Sequence, residues 1–268
     1  MTNPSSISWT MFIFCYNEEH TVGNVIEQAV RVCEKLSEGA NEILVVNDGS
    51  TDHSKEVIES KCLEHVNVRA IHHPKNLGIG AALISGYSNA KGACVCGIPA
   101  DGQFNPEEIL PFKNHVAGEV VCFVREEKRY NAYRNLLSTF NNFINKLLLG
   151  LALQDVNWVK VYHSDDLKGI KPKMRSSLIE SEMCAMLKVR GAEFVEVPSV
   201  YHERTAGETK GGSLKTVGMA ALEFTRLVVR VNLFRFRLVL RNLFLNEKRP
   251  DNQCIQPATK KDGNSITR

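Results

Sequence analysis

Short apolar runs alternate with amphipathic stretches through the first half of the chain. "WTMFIFC" reads as a strand, and Val22, Val25, Ile26, Ala29, Val30 and Cys33 follow it at helical spacing. "EILVVND" is the next strand, and "GSTDHS" supplies turn and capping groups before Val57 and Ile58. "VRAIHH" is a third strand, followed by the loop "PKNLGIG" and a small-residue helix, "AALISGYSNA". "ACVCGIP" and "EVVCFV" are the fourth and fifth strands. Strands alternating with helices predict an α/β fold with a mostly parallel sheet covered on both faces. In such sheets ligands gather beyond the carboxyl ends of the strands. "YNEE", Asp48, the Asn76–Gly80 loop and Asp101 all fall at those ends.

The second half changes rhythm. Residues 131–153 predict a long helix rich in Leu and Phe, "VNWVKVYH" a strand, "MRSSLIESEMCAMLKVRG" a helix and "AEFVEVPSVYHER" another strand. A last amphipathic helix runs over 214–245. In it Arg226, Arg230, Arg237 and Arg241 form one basic stripe, with Leu227, Val228, Val231, Phe234, Leu238 and Leu245 elsewhere. Such a helix suits an anionic membrane surface; packing on the catalytic domain or on a second subunit is the competing reading. With no linker or repeat in view, the expected organisation is a catalytic domain over 8–213, the helix over 214–245 and a polar, disordered tail over 246–268.

Composition narrows the picture slightly. Hydrophobic residues make up 43% and charged residues 24% of the 268 residues, as in ordinary soluble domains. A net charge of +3 gives no argument for nucleic acid. None of the eight cysteines forms a C-x-x-C pair, so a zinc site or disulfide framework is not expected, and a reduced cytoplasmic setting fits. The N-terminal residues do not read as a signal peptide, and no uncharged apolar run is long enough to span a bilayer.

Two carboxylates stand out. Asp48, in "VVNDGSTD", is delivered by a buried strand onto a Gly-Ser turn, where it can meet a nucleobase or ribose or simply cap the next helix. In "CGIPADGQFNP", Asp101 and Gln103 offer hard oxygen ligands at i and i+2, suited to Mg²⁺ or Mn²⁺ carried by a diphosphate. Alone, that stretch is equally an Asp-Gly turn with Asn105 as a helix cap. His72, His73, His163 and His202 read as structural or surface residues. Gly78 and Gly80 lack the full spacing of a dinucleotide fingerprint.

The order of the pieces is more specific than any one of them. "FCYNEEHTVGNVI", "ILVVNDGSTDHS", "HPKNLGIGAALISGY", "PADGQFNPEEI" and "ERTAGETKGGS" resemble, in order and spacing, the motifs of glycosyltransferase family 2, over roughly residues 8–230. The resemblance is greatest to its polyprenyl-phosphate sugar synthase branch, the dolichyl-phosphate mannose synthase-like group. It implies a GT-A fold, a nucleotide-diphosphate sugar donor and a divalent metal; the basic last helix adds the expectation of peripheral attachment to a membrane. Carried over by position, Tyr16, Glu18, Asp48, Asn76, Gly78 and Asp101 would hold the nucleotide sugar, and Asp101 and Gln103 the metal. The family usually has Asp-x-Asp-Gly-Gln, so Pro99 departs from it at the first carboxylate.

Arg125, Arg134, Ser138, Arg204 and Lys210 match the positions that meet an acceptor phosphate in that branch; as isolated cations they would be surface charges. "DVNWVKVY" keeps the branch's Asp155 and Tyr162, and Glu182 lies where related transferases present an acid to the acceptor. Asp101, Glu182 and Asp155 are thus the catalytic candidates, although either of the last two acids can instead position a loop. A phosphate acceptor is ionised near pH 7 and needs no strong general base, whereas a hydroxyl acceptor does. The chemistry implied is displacement with inversion at the anomeric carbon, transferring a hexose to a polyprenyl phosphate. Two alternatives stand beside it: transfer to a saccharide hydroxyl in cell-surface polysaccharide synthesis, and a non-catalytic nucleotide-sugar-binding subunit with a decayed metal site. A homo-oligomer or a membrane partner subunit is compatible with each.

Overall fold

The computed structural model describes residues 8–37, 41–126, 145–203 and 214–246, with side chains of the last helix described over 223–240. The first half follows the expected alternation: β1 (Trp9–Cys15), α1 (Val22–Leu36), β2 (Asn41–Asn47), α2 (Ser54–Glu64), β3 (Val68–His72), α3 (Ile79–Asn89) and β4 (Cys94–Pro99). A 3₁₀ turn, Pro106–Phe112, precedes β5 (Glu119–Arg125). Then come β6 (Lys160–His163), the single turn α4 (Ser164–Leu167), α5 (Leu178–Val189), β7 (Glu193–Ser199) and α6 (Leu214–Asn246).

These strands form one sheet in the order β3-β2-β1-β4-β6-β5-β7. β3, β2, β1 and β4 pair in parallel, as do β5 and β7, whereas β6 runs antiparallel between β4 and β5. The reversed β6 separates two strands that are neighbours in sequence, and its insertion was not anticipated by the strand pattern. β1 shows why the middle is so apolar. Trp9, Met11, Ile13 and Cys15 pack on the α1 side, and Phe12 on the side of α3 and α5. The Phe12 ring needs two glycines around it: a Cβ on Gly86 or Gly97 would lie 2.3 Å from ring atoms. That close approach draws α3 against β1 and β4.

The expected helix over 131–153 is corrected at its end. Residues 127–144 lie outside the described residues. Asn145–Leu149 make a single π-helical turn, and Gly150 follows at φ 71°. From the end of that turn onward Leu149, Leu151 and Leu153 are all buried, a period of two that belongs to extended chain. In the last helix the residues expected as apolar cover turn inward: Val228, Phe234 and Leu238 are half-buried beside two fully buried ones. Leu227 and Val231 are buried, but Val229, Leu233, Phe236 and Val239 are 51–60% exposed. No described helix is long and apolar enough to cross a membrane.

Candidate active site

Because β1 to β4 run in parallel side by side, the segments after them meet at one sheet end. The segment after β1 is stitched onto the turn after β2. Thr51 N–H donates to Asn17 Oδ1 (2.8 Å), Asn17 N–H to Ser50 Oγ (3.0 Å) and Glu18 N–H to Ser54 Oγ (2.8 Å). Asn17 holds φ 55°, a left-handed conformation that Asn tolerates. Glu18 is buried and accepts from Thr21 Oγ1 at 3.2 Å, and Tyr16 beside it is half-buried.

Asp48 does different work from that expected. It is 3% exposed, and its two oxygens accept the Leu77 and Gly78 amides at 3.0 and 2.9 Å. His73 Nδ1 stands 2.6 Å from Oδ1, and the far side of its ring meets Ser85 Oγ at 2.9 Å. Gly49 allows the close approach: at φ +66°, a Cβ there would lie 2.2 Å from the Lys75 carbonyl carbon. Asp48 is therefore the organiser of the loop after β3, which carries Asn76 at an exposed position and Gly78 at its end. His73, read from sequence as a structural or surface residue, is one of the groups that hold it.

Asp101 follows β4. Its Oδ1 accepts the Gln103 amide at 3.1 Å, across Gly102 at φ 74°. Burial pushes the Asp101 carboxyl above the usual carboxylate range, although the Gln103 amide and the Arg125 guanidinium both pull it down. Gln103 Nε2 donates to the Tyr201 hydroxyl at 2.5 Å. Asn105 caps the following turn through Glu107 N–H, as expected, but the turn is 3₁₀ and holds Pro111.

Arg125, at the end of β5, binds Asp155 with both prongs: Nε–Oδ2 2.7 Å and NH2–Oδ1 3.0 Å. Its guanidinium carbon sits 4.6 Å from the Trp158 ring centroid and 5.7 Å from that of Tyr201. Trp158 and Tyr201 meet edge to face at 5.9 Å. Spacing alone gave no signal for either aromatic, since they come from separate segments. Under this layer lies a cavity of about 190 Å³ whose walls include Asp101, Arg125, Asn157, Trp158 and Pro99. It is smaller than the ~300–1,000 Å³ of sites that enclose a drug-sized ligand, and suits part of one. Pro99 contributes an apolar wall where the motif led one to expect a carboxylate. The cavity floor reaches a buried pair: Lys160 Nζ lies 2.9 Å from Glu180 Oε2, and the Tyr87 and Tyr162 hydroxyls donate to the same carboxylate. Burial opposes the charge on Lys160, but Glu180 outweighs it and holds the ammonium above its usual range.

Glu182 is not at the cleft surface. It is fully buried, accepts the Lys173 and Met174 amides at 2.7 and 2.9 Å, and pairs with Arg230 of α6. Its placement corrects the expectation that it faces an acceptor, because no part of the carboxylate is accessible. Arg134, Ser138, Arg204 and Lys210 lie outside the described residues. Among the described residues, the one carboxylate–histidine cluster with metal-ligand spacing is Glu27, Glu64 and His65, and Lys61 already sits in it, 2.7 Å from Glu27. The free thiol nearest this sheet end, Cys15, is buried, which pushes it up to about 12 and makes it a poor nucleophile.

Undecaprenyl-phosphate 4-deoxy-4-formamido-L-arabinose transferase of Sodalis glossinidius is 27% identical over 226 residues, which cover 82% of this chain and 68% of that protein. Its counterpart in Edwardsiella ictaluri is 26% identical over 212 residues, covering 76% and 63%. A dolichyl-phosphate beta-glucosyltransferase of Trichomonas vaginalis is 31% identical over 110 residues, covering 40% and 33%. The matches thus span from a third to about two thirds of these relatives' lengths. Glucosyl-3-phosphoglycerate synthase from Mycobacterium tuberculosis, solved with phosphoglyceric acid, superposes with a TM-score of 0.63 at 17% identity, over 84% of this chain and 80% of that one. Mannosyl-3-phosphoglycerate synthase from Rubrobacter xylanophilus gives 0.61 at 18% identity, over 94% and 79%. The shared architecture is the GT-A fold. The model of the family described as "Glycosyl transferase family 2" matches residues 10–178, more than half of the chain, and the protein belongs to that family of glycosyltransferases.

Proposed function

We propose that this glycosyltransferase moves a hexose from a nucleotide-diphosphate sugar to a polyprenyl phosphate, with inversion at the anomeric carbon, at the cleft around Asp101 and Arg125. The observation that carries the choice of acceptor is the commitment of both candidate bases. Glu182 is sealed beneath the surface by two amides and Arg230, and Asp155 is held bidentately by Arg125. A hydroxyl acceptor requires a base at that point, whereas a phosphate monoester arrives ionised. The relatives named as acting on undecaprenyl or dolichyl phosphate favour the same acceptor class.

In this reading the loops after β1, β2 and β3 receive the nucleoside, through Tyr16, Glu18 and the Asn76–Gly78 loop that Asp48 shapes. The donor set fits a hard divalent ion. Asp101 is a partly desolvated carboxylate that a cation would relieve, and Gln103 stands two residues on. Mg²⁺ or Mn²⁺ would be held by Asp101 and Gln103 together with diphosphate oxygens, since such ions keep several non-protein ligands. The bound ion would supply charge stabilisation to the leaving diphosphate. Arg125, fixed by Asp155 and Trp158, contributes a positive field beside that group. Arg134, Ser138, Arg204 and Lys210 are assigned to the acceptor phosphate from the motif alone. Residues 8–213 form the catalytic unit, and the enzyme works on the cytoplasmic side as a peripheral protein.

The acceptor class is tested by supplying one labelled donor with polyprenyl phosphate or with free oligosaccharides. Label entering the lipid-phosphate fraction supports the reading. Label entering only oligosaccharide overturns it.

A further inference from the structure

Between α4 and α5, residues 171–176 join no helix or strand, yet their backbone is tightly held. Four successive amides of this strap donate to two carboxylates. The Lys173 and Met174 N–H groups both reach Glu182 Oε2, at 2.7 and 2.9 Å. The Arg175 N–H donates to Glu223 Oε1 at 3.1 Å, and the Ser176 N–H to Glu223 Oε2 at 3.0 Å. Met174 and Ser176 are buried whereas Lys171, Lys173 and Arg175 are exposed, so the strap lies extended with one edge turned inward. Inward amides outside any sheet need an acceptor from elsewhere, and here α6 helps to supply it. Glu223, Leu227 and Arg230 share one face of α6. Leu227 is buried in the core, and Arg230 binds both Glu182 and the Lys171 carbonyl.

The strap also touches the loop after β3. The Gly80 N–H donates to the Arg175 carbonyl at 3.0 Å. A Cβ on Gly80 would lie 2.5 Å from that carbonyl, and one on Gly78 would lie 3.4 Å from its oxygen. Asp48 grips the same loop through the Leu77 and Gly78 amides. Ile79 of the loop and Ser177 at the end of the strap both line the cavity that holds Asp101. We propose that Glu223 is a positioning residue for the nucleotide-sugar donor: through the Arg175 carbonyl it fixes the 76–80 loop against the Asp101 cavity. That role, though not the geometry, rests on the donor class proposed above. Glutamine cannot replace Glu223 here. Each Glu223 oxygen serves a different N–H, so the side-chain amide would turn an NH₂ group onto one of them. Glu182 differs, because one of its oxygens serves both of its amides.

The test combines hydrogen–deuterium exchange of the full chain with titration of UDP, GDP, CDP, ADP and dTDP, each with Mn²⁺. Glu223→Gln, Gly80→Ala and the double variant are compared with wild type, and melting is recorded for each. In Glu223→Gln, exchange over residues 77–80 rises roughly tenfold and the nucleotide binds roughly tenfold more weakly, the scale of one buried amide left without an acceptor. Gly80→Ala alters nothing on α6 and pushes on the strap from the loop side. It weakens nucleotide binding as well and raises exchange over residues 173–176. In the double variant the two losses of affinity are less than multiplicative, because both act through one contact. Losses that multiply, wild-type exchange over 77–80 in Glu223→Gln, or exchange that rises across the whole sheet overturns the proposal. If Glu223→Gln does not fold, Gly80→Ala decides alone: wild-type protection of 173–176 overturns the proposal and faster exchange there upholds it. Failure of the wild type to bind any of the nucleotides removes the proposed donor class and this role with it. Wild-type affinity in both single variants overturns the role of Glu223 alone.

Discussion

The guanidinium of Arg125 and the carboxylate of Asp155 face each other as a two-pronged pair, 2.7 and 3.0 Å apart, with Trp158 stacked 4.6 Å from the guanidinium carbon. The pair is nearly buried, with side-chain exposures of 14% and 4%. Breaking such a pair by removing one member leaves a charge without compensation. Asp155→Asn is therefore expected to lower stability by about 3 kcal/mol, measured by urea unfolding. Arg125→Lys keeps the charge but loses the fork and the stacking. It should unfold near the wild-type midpoint while losing at least about tenfold in transfer rate. Full activity in Arg125→Lys would show that orientation at this point is unimportant.

Asp101 gives a pH-dependent prediction with a definite sign. Its folded-state value is raised above the ordinary carboxylate value, so the folded protein binds this proton more tightly than the unfolded chain does. The ionised group costs stability at pH above the raised value, and that cost disappears as pH falls through it toward the ordinary value. Asp101→Asn should accordingly melt about 1–3 °C higher than wild type at pH 7, with the difference closing in acid. The same variant should lose metal-dependent donor binding. A variant that melts lower at pH 7 would contradict the burial argument.

Glu182 separates a positioning role from a chemical one. A general base contributes ~10²–10⁴-fold to a rate, so its amide variant loses that much. Glu182→Gln retains an oxygen for the Lys173 and Met174 amides and should keep transfer within about threefold of wild type, while Glu182→Ala loses stability by about 2–4 kcal/mol. Steady-state kinetics on the Gln variant decides between them, and a large fall in kcat at wild-type stability would restore Glu182 to the chemistry.

Pro99 can be returned to the carboxylate usual in the family. If Asp101 and the diphosphate suffice to hold the ion, Pro99→Asp should tighten Mn²⁺ by less than about tenfold, since one added ligand joins a set dominated by phosphate oxygens. Isothermal titration with nucleotide sugar present measures this. A nearly inert parent rescued by the substitution would instead identify a decayed site.

The parallel half of the fold was legible because its strands are mostly apolar runs that end close to turn-forming residues, Asn17, Asp48, Pro74 and Pro99, and β1 to β4 fell where those runs predicted. Asp101, Gln103 and the ends of the first four strands were legible for the same reason, since chain order and parallel pairing bring them together. What was not legible depends on partners distant in sequence. Nothing near Asp48 signals that its carboxylate is consumed by the Leu77 and Gly78 amides and His73. Glu182 resembles an acceptor-side acid in sequence, and its burial depends on the Lys173–Met174 amides and on Arg230 of α6, all distant in sequence or outside its helix. The alternation of Leu149, Leu151 and Leu153 around Gly150 did signal an extended segment, but the Leu-rich run before it masked that period of two. On α6 the Arg stripe was visible, yet which apolar residues face the domain follows from where Leu227 and Val231 dock.

The most direct measurement of the central claim is transfer of labelled sugar from a panel of nucleotide-diphosphate sugars to polyprenyl phosphate, with Mn²⁺ or Mg²⁺ and with chelator. At least one donor should give a metal-dependent lipid-phosphate sugar with wild type and none with Asp101→Asn. No glycolipid from any donor, or a product that Asp101→Asn makes equally well, would contradict the account.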